Sequence, residues 1–264
     1  MDLKEERLGN GEALCERLSA NVQAALAAVR LLIVAKHGAS ALPAIFIDDL
    51  LAGRAQAPRR ASYLRPALYV RGVPSHPWRH APNIIDVSRG AAIATIIRDE
   101  WNKIKDLPNS LTESLNSGVA KSGAWRTLLF KQGNKWNAHA QTLMPRTKAI
   151  IEATPRLGEL AFLSVLNAGH HIGAHCGPWN LRTNLHLGIQ IPPNCGIRVA
   201  QTTRDWLEGR WIAFDDCFEH EVWNHSQTER VVLVVNAWNS ALTETEISAF
   251  SMISGILTGD EMLT

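Results

Sequence analysis

The chain has 264 residues, 46% of them hydrophobic and 20% charged, with a formal net charge of +2. That length makes one large domain, or a domain with an extension, and allows a sizeable core. A balance this close to neutral, without a long basic run, gives no field to gather nucleic acid and excludes nucleic-acid binding as the organising function.

In chain order, Met1 to Arg7 is charged where a secretion signal would turn apolar, so a soluble cytoplasmic protein is expected. The most apolar segment, Ala24 to Ala35, is broken by Arg30 and falls short of the ~20 residues of a membrane span, so no membrane partner is expected. Leu14, Leu18, Val22, Leu26, Val29, Leu32 and Ile33 recur at helical spacing and predict an amphipathic helix over Gly11 to Lys36, ended by Gly38. A second helix is predicted over Ala44 to Ala52. This helical extension with its linker, residues 1–65, would pack its apolar stripe on the main domain, residues 66–264, or else join two subunits as a homodimer. Arg54 to Arg71 holds five arginines and two prolines and reads as a solvated linker in preference to a nucleic-acid arm.

Gly72 to Trp78 contains Pro74 and Pro77, which rule out regular helix and predict a loop laid over the core by Trp78. Helices are predicted over Ala91–Ile104 and Met144–Ala153, the latter begun at Pro145, with an exposed loop over Asn109–Gly123 and a strand over Trp125–Lys131. From Leu160 short strands follow one another: Ala161–Leu166, Thr183–Ile191, Ile197–Gln201, Trp211–Phe214, Glu221–Asn224 and Arg230–Ala237. Their spacing argues for an antiparallel sandwich or barrel with flanking helices. His170 and His171 fall in a turn after Gly169. The four cysteines, Cys15, Cys176, Cys195 and Cys217, form no CxxC pair and read as reduced, packed thiols.

Strand periodicity places the chemistry. Leu185, Leu187, Ile189 and Ile191 alternate with Asn184, His186, Gly188 and Gln190, so one face is apolar and the other polar. In a closed sandwich the polar face lines the bore, with His186 beside the small Gly188, which leaves room for a ligand. Arg230 shares a face with Val232, Val234 and Asn236; an inward arginine is costly unless it meets an anion, and its fork suits a carboxylate. His220 and Arg230 flank the turn His225–Glu229 and are expected on antiparallel neighbours. His175 and His220, concentrated with carboxylates in an apolar, β-prone region, point to a mononuclear metal site.

The runs His175-Cys176-Gly177-Pro178-Trp179-Asn180, Leu185-His186-Leu187-Gly188, Phe214-Asp215-Asp216-Cys217-Phe218-Glu219-His220-Glu221-Val222-Trp223 and Arg230 to Trp238 resemble the catalytic domain of the aspartyl/asparaginyl β-hydroxylases. The likeness extends from about Val70 to about Leu242, dense from Ser164 and faint between Arg79 and Lys121. It implies a double-stranded β-helix, or jelly-roll, core and an oxygenase that uses iron(II), 2-oxoglutarate and dioxygen. By resemblance, His175 and His220 are the iron ligands, and Gly177 stands where most such oxygenases place a carboxylate, a gap shared with this family. Asp216 matches an acid that hydrogen-bonds a water at the metal. Arg230 and Ser164 match the residues that hold the distal carboxylate of 2-oxoglutarate, and His186 the one near its keto end. Arg182 matches an arginine facing the substrate, while Asn184 departs from the family, which usually has arginine there. Gln132, near Trp136, is a candidate substrate contact. The implied substrate is an amino acid, an amino-acid derivative or a small peptide, hydroxylated at an unactivated C–H. The other readings are a different oxidative outcome, halogenation or cyclisation, and a non-catalytic jelly-roll binding module.

Overall fold

Alternating residues in the second half of the chain have two different faces to bury, and the architecture follows from that. The computed structural model describes residues 18–58, 61–113 and 117–259. Its strands are β1 (Thr112–Glu113), β2 (Trp125–Gln132), β3 (Lys135–Trp136), β4 (Leu157–Leu166), β5 (His170–His175), β6 (Arg182–Gln190), β7 (Cys195–Val199), β8 (Thr202–Asp205), β9 (Trp211–Phe214), β10 (His220–Asn224) and β11 (Arg230–Trp238). The larger sheet runs β1-β2-β4-β11-β6-β9 with β3 beside β2, and the smaller runs β5-β10-β7-β8. The strands pair antiparallel throughout both sheets. This is the antiparallel sandwich with flanking helices that the spacing of the strands anticipates, in the jelly-roll form that the resemblance implies.

The outer face of the larger sheet buries Leu163, Leu185, Leu187, Leu233 and Val235 against helices α3 (Gly90–Ile104), α4 (Ala138–Leu143) and α5 (Pro145–Glu152). On its inner face Leu166, Phe214, Val232 and Val234 meet Ile172, Ile197, Val199 and Val222 of the smaller sheet. Because side chains alternate, a slip of one residue in β6 or β11 would exchange the two faces, and the burial on both sides fixes the register. The same register turns Ser164, His186 and Arg230 into the bore. Strands β10 and β11 lie in different sheets, so His220 and Arg230 are not hydrogen-bonded neighbours as the sequence suggests; the turn between them crosses from one sheet to the other.

Asn224 holds that crossing together. Its Nδ2 donates to the carbonyls of Leu166 (3.0 Å), Asn167 (3.1 Å) and Thr228 (2.8 Å), and its Oδ1 accepts from Ser226 Oγ (2.6 Å) and Cys195 Sγ (3.1 Å). Asn224→Ala leaves several buried polar groups unmet and is expected to lower the unfolding free energy by about 2–4 kcal/mol. Urea melts give the value; a loss below about 1 kcal/mol would mean that the backbone alone sustains the turn.

At the N-terminal side, α1 (Ala20–His37) begins at Ser19, whose Oγ accepts the Val22 amide at 3.3 Å, and stops at Gly38 with φ of 83°. Helix α2 (Leu42–Leu51) has Pro43 in its first turn. Leu26, Ile33, Phe46 and Ile47 share one core with Trp179, Trp238 and Phe250, the last on α6 (Glu244–Gly259). The apolar stripe of α1 is thus packed on the main domain except for Leu32, which is 64% exposed; the predicted first turns from Gly11 and Cys15 lie outside the described residues. The arginine-rich stretch is not a solvated linker where it is described. Leu64, Leu68 and Val70 are buried, and Arg54 and Arg71 both pair with the buried carboxylate of Asp49. Among the described residues no helix is long and apolar enough to cross a membrane.

Candidate metal and cosubstrate site

His175 ends β5 and His220 begins β10, and the two are direct register partners with ring centroids 4.2 Å apart. Each ring is fixed by the same local device. Nδ1 of His175 lies 2.8 Å from the carbonyl of Gly173 and Nδ1 of His220 lies 2.9 Å from that of Phe218. A carbonyl can only accept, so each Nδ1 carries the proton and each Nε2 keeps its lone pair. Burial pushes both pKa values down, which keeps the rings neutral as metal ligands must be.

Asp216 follows β9 and lies against Gly177, two residues from His175. The amide of Gly177 donates to its carbonyl at 2.6 Å, and Asn184 Nδ2 donates to its Oδ2 at 3.2 Å, leaving Oδ1 buried without a partner. A Cβ on Gly177 would come within 2.5 Å of both carboxylate oxygens of Asp216. The glycine is therefore a steric requirement, because the Asp216 carboxyl occupies the space into which a residue-177 side chain would project. Gly177→Asp is expected to displace Asp216 and to lower the unfolding free energy by about 1–3 kcal/mol in urea melts; an unchanged midpoint would contradict the packing. Burial, aided by Asp215 and opposed mainly by Arg182, pushes the Asp216 carboxyl up to about 7.

The deep end of the bore is built around Arg230, which is 1% exposed. It donates to Ser164 Oγ at 3.1 Å and lies over the Trp206 ring at 5.0 Å, while its Nε has no partner. No carboxylate is paired with it among the described residues. Burial pushes its pKa down to about 10, still high enough for a full charge at neutral pH. Ser164 Oγ also accepts from Trp125 Nε1 at 3.0 Å, so both of its lone pairs are engaged and its hydroxyl proton remains to be donated. His186 stacks on Trp206 (6.0 Å, 8°) and meets the edge of Phe214 at 4.9 Å. Its Nδ1 is unpartnered, and burial together with Arg230 lowers its pKa to about 3.

The structure thus brings His175, His220, Asp216, Asn184, His186, Ser164 and Arg230 into one bore. Arg182 is turned away: its guanidinium pairs with buried Glu159 and Ser254 Oγ and lies between Trp179 and Trp238. Gln132 is exposed at the far end of β2 from Trp125, about 23 Å along the strand. The room anticipated beside Gly188 is filled by the chain itself, since a Cβ there would come 2.5 Å from the Leu207 carbonyl. Three residues lacked a role in the sequence. Trp125 and Trp206 shape the Arg230 end, and Asp215, fully buried, anchors the loop before the site. Asp215 takes Arg79 on both oxygens, the His76 amide at 2.8 Å and Thr183 Oγ1 at 2.6 Å.

These shifts set a pH dependence. The folded-state pKa values of His175, His186 and His220 lie below their unfolded value of 6.5, so their contribution to stability is present above 6.5 and is lost as pH falls. Asp216 works oppositely, since a carboxyl raised from 3.8 to about 7 contributes below 3.8 and loses that contribution as pH rises. Three imidazoles outweigh one carboxyl, so metal-free protein is expected to lose stability on acidification below 6.5. Flat urea midpoints between about pH 7 and pH 5 would contradict neutral buried rings.

The donor set suits a borderline metal: two neutral imidazoles side by side, with no third His, Cys, Asp or Glu grouped with them among the described residues. Four buried polar atoms without partners, Arg230 Nε, His186 Nδ1, Asp216 Oδ1 and Asn184 Oδ1, line the same bore. They fit an anionic, oxygen-rich ligand at the arginine end and a polar group beside the histidines.

A family model described as aspartyl/asparaginyl beta-hydroxylase matches residues 92–240, more than half of the chain. The mouse protein of that name is 34% identical over 194 residues, covering 69% of this chain and 26% of its own length. The human one is 34% identical over 154 residues, covering 56% of this chain and 20% of its own. The chain spans about a quarter or less of these two relatives. An ornithine lipid ester-linked acyl 2-hydroxylase of Rhizobium tropici is 43% identical over 95 residues, 35% of this chain and 34% of that protein. Among solved structures, a Pseudomonas putida prolyl-4-hydroxylase overlaps 59% of this chain and 88% of its own, with a TM-score of 0.37 and 12% identity.

Proposed function

The chain belongs to the aspartyl/asparaginyl β-hydroxylase family, and from that we propose that it is an iron(II)- and 2-oxoglutarate-dependent dioxygenase acting on an amino acid, an amino-acid derivative or a small peptide. The observation that carries this reading is Arg230, a guanidinium 1% exposed with no paired carboxylate and one nitrogen unmet. Burying such a charge costs several kcal/mol unless an anion meets it, and its fork matches a carboxylate. When bound, iron(II) with 2-oxoglutarate and dioxygen supplies the oxidising power to hydroxylate an unactivated C–H, the β-carbon first, with succinate and CO2 as co-products.

The protein's part is binding, orientation and exclusion of water. His175 and His220 would hold the metal through Nε2, their rings locked by the carbonyls of Gly173 and Phe218. Arg230 would bind the distal carboxylate of 2-oxoglutarate, with the Ser164 hydroxyl donating to the same group. His186, neutral and unpartnered at Nδ1, would orient the keto-end carboxylate. Asp216 would accept a hydrogen bond at its unpartnered Oδ1 from a group bound beside the histidines. Phe214, Trp206 and Trp125 exclude water around these groups.

The test is succinate release across a panel of amino acids and short peptides. Stoichiometric succinate with at least one of them supports the reading, and release that ignores every candidate substrate counts against this substrate class.

A further inference from the structure

Asn184 lies on the bore face of β6, 8% exposed, two positions from His186. One N–H of its Nδ2 is held by Asp216 Oδ2, and its Oδ1, an acceptor, has no partner. Asp216 Oδ1 is a second buried oxygen without one. Each unmet buried acceptor is destabilising, and a donor placed between them would satisfy both. The neighbouring cations are already paired. Arg182, two residues before Asn184, is held by Glu159 and Ser254 between two tryptophans, with its Nε unmet, and Arg79 is held by Asp215. No cation forms an ion pair with Asp216 among the described residues, and Arg230 sits at the other end of the bore on Ser164.

We propose that the substrate presents a hydrogen-bond donor, a carboxamide or an ammonium group, to Asn184 Oδ1 and Asp216 Oδ1, and that a carboxylate in that position is rejected. This rests on the hydroxylase reading and narrows it to substrates whose group beside the reacting carbon carries N–H. With Asp216 ionised, a carboxylate there would face two acceptors, the nearest cation being already paired with Glu159, and would lose both hydrogen bonds and meet like charge. Asn184 thus sets specificity by what it accepts.

The experiment uses the full chain loaded with zinc(II), a redox-silent ion, and 2-oxoglutarate, titrated by calorimetry with three ligands of similar length: aspartate, its isostere asparagine, and 2,4-diaminobutyrate. Asparagine or 2,4-diaminobutyrate is expected to bind at least ~10-fold tighter than aspartate, and whichever of the two does so identifies the donor. Asn184→Arg, shown to be folded by its urea midpoint, should reverse the order. Asn184→Leu, which keeps the volume but offers no acceptor, should flatten it. Aspartate binding as tightly as both donors, or no saturable binding by any of the three, would overturn the proposal. Failure of the wild-type protein to bind 2-oxoglutarate would instead overturn the hydroxylase reading, before any amino acid is added.

Discussion

Arg230→Met is expected to weaken 2-oxoglutarate binding by about 150-fold or more, while leaving the ligand-free protein at least as stable as the parent. The two halves of this result come from one cause. In the free protein Arg230 is a buried cation with only a serine hydroxyl and an indole face for company, so it costs the fold energy. Methionine fills much of the same volume without the charge, and replacing such a group by an apolar one is commonly neutral or stabilising. In the complex the guanidinium would form a bidentate pair in a dry pocket, and removing one partner of such a pair costs about 3 kcal/mol, which is the ~150-fold loss. Calorimetry for affinity and urea melts with and without 2-oxoglutarate read both halves. Affinity within a few-fold of the parent would remove Arg230 from its role. A large loss of ligand-free stability would make it a structural residue.

His220→Ala is expected to reduce iron(II) affinity by ~100-fold or more, because with two imidazoles as the donor set each supplies half of the protein's ligation. His175→Ala should behave alike, and the double variant should be little worse than either single one, since a lone imidazole leaves no site to lose. The same two variants should be less sensitive to acid in their metal-free form, because each removes a ring whose pKa the fold holds down. Equilibrium dialysis with iron(II) under anaerobic conditions gives the affinities. Undiminished metal in both single variants would place the ion elsewhere.

Most of the sheet was legible from residues because each strand buries two unlike faces. The alternation of Leu185, Leu187 and Ile189 with Asn184, His186 and Gly188 is the register of β6, and the inward turn of Arg230 follows from its place two before Val232. Strand β5 was not legible: in His170 to His175 only Ile172 is an apolar side chain buried in the core, and the remainder reads as turn. Helix α6 is announced by its own start signal, Thr243 followed three residues later by Glu246. Thr243 Oγ1 accepts the Glu246 amide at 3.2 Å while Glu246 Oε2 accepts the Thr243 amide at 2.7 Å, a capping box before an apolar run.

The candidate site divides along the same line. Residues placed by strand register, such as His186, Ser164 and Arg230, converge as the sequence implies. Residues whose role depends on what comes from elsewhere in the chain do not. Arg182 is claimed by Glu159 on β4, Asp215 is claimed by Arg79 more than a hundred residues earlier, and the room beside Gly188 is claimed by Leu207. None of these partners is fixed by local spacing, so only the folded chain reveals them. Gly177 is the reverse case: its gap was visible in the sequence, and its cause, the Asp216 carboxyl lying in that space, was not.

The central claim is that His175 and His220 hold iron(II) beside 2-oxoglutarate anchored by Arg230. Anaerobic difference spectroscopy tests it most directly, with iron(II) added first and 2-oxoglutarate second. The predicted result is a weak visible charge-transfer band that appears only with both components and is lost in His220→Ala and in Arg230→Met. No band in the wild-type protein, or a band that persists in both variants, would contradict the account.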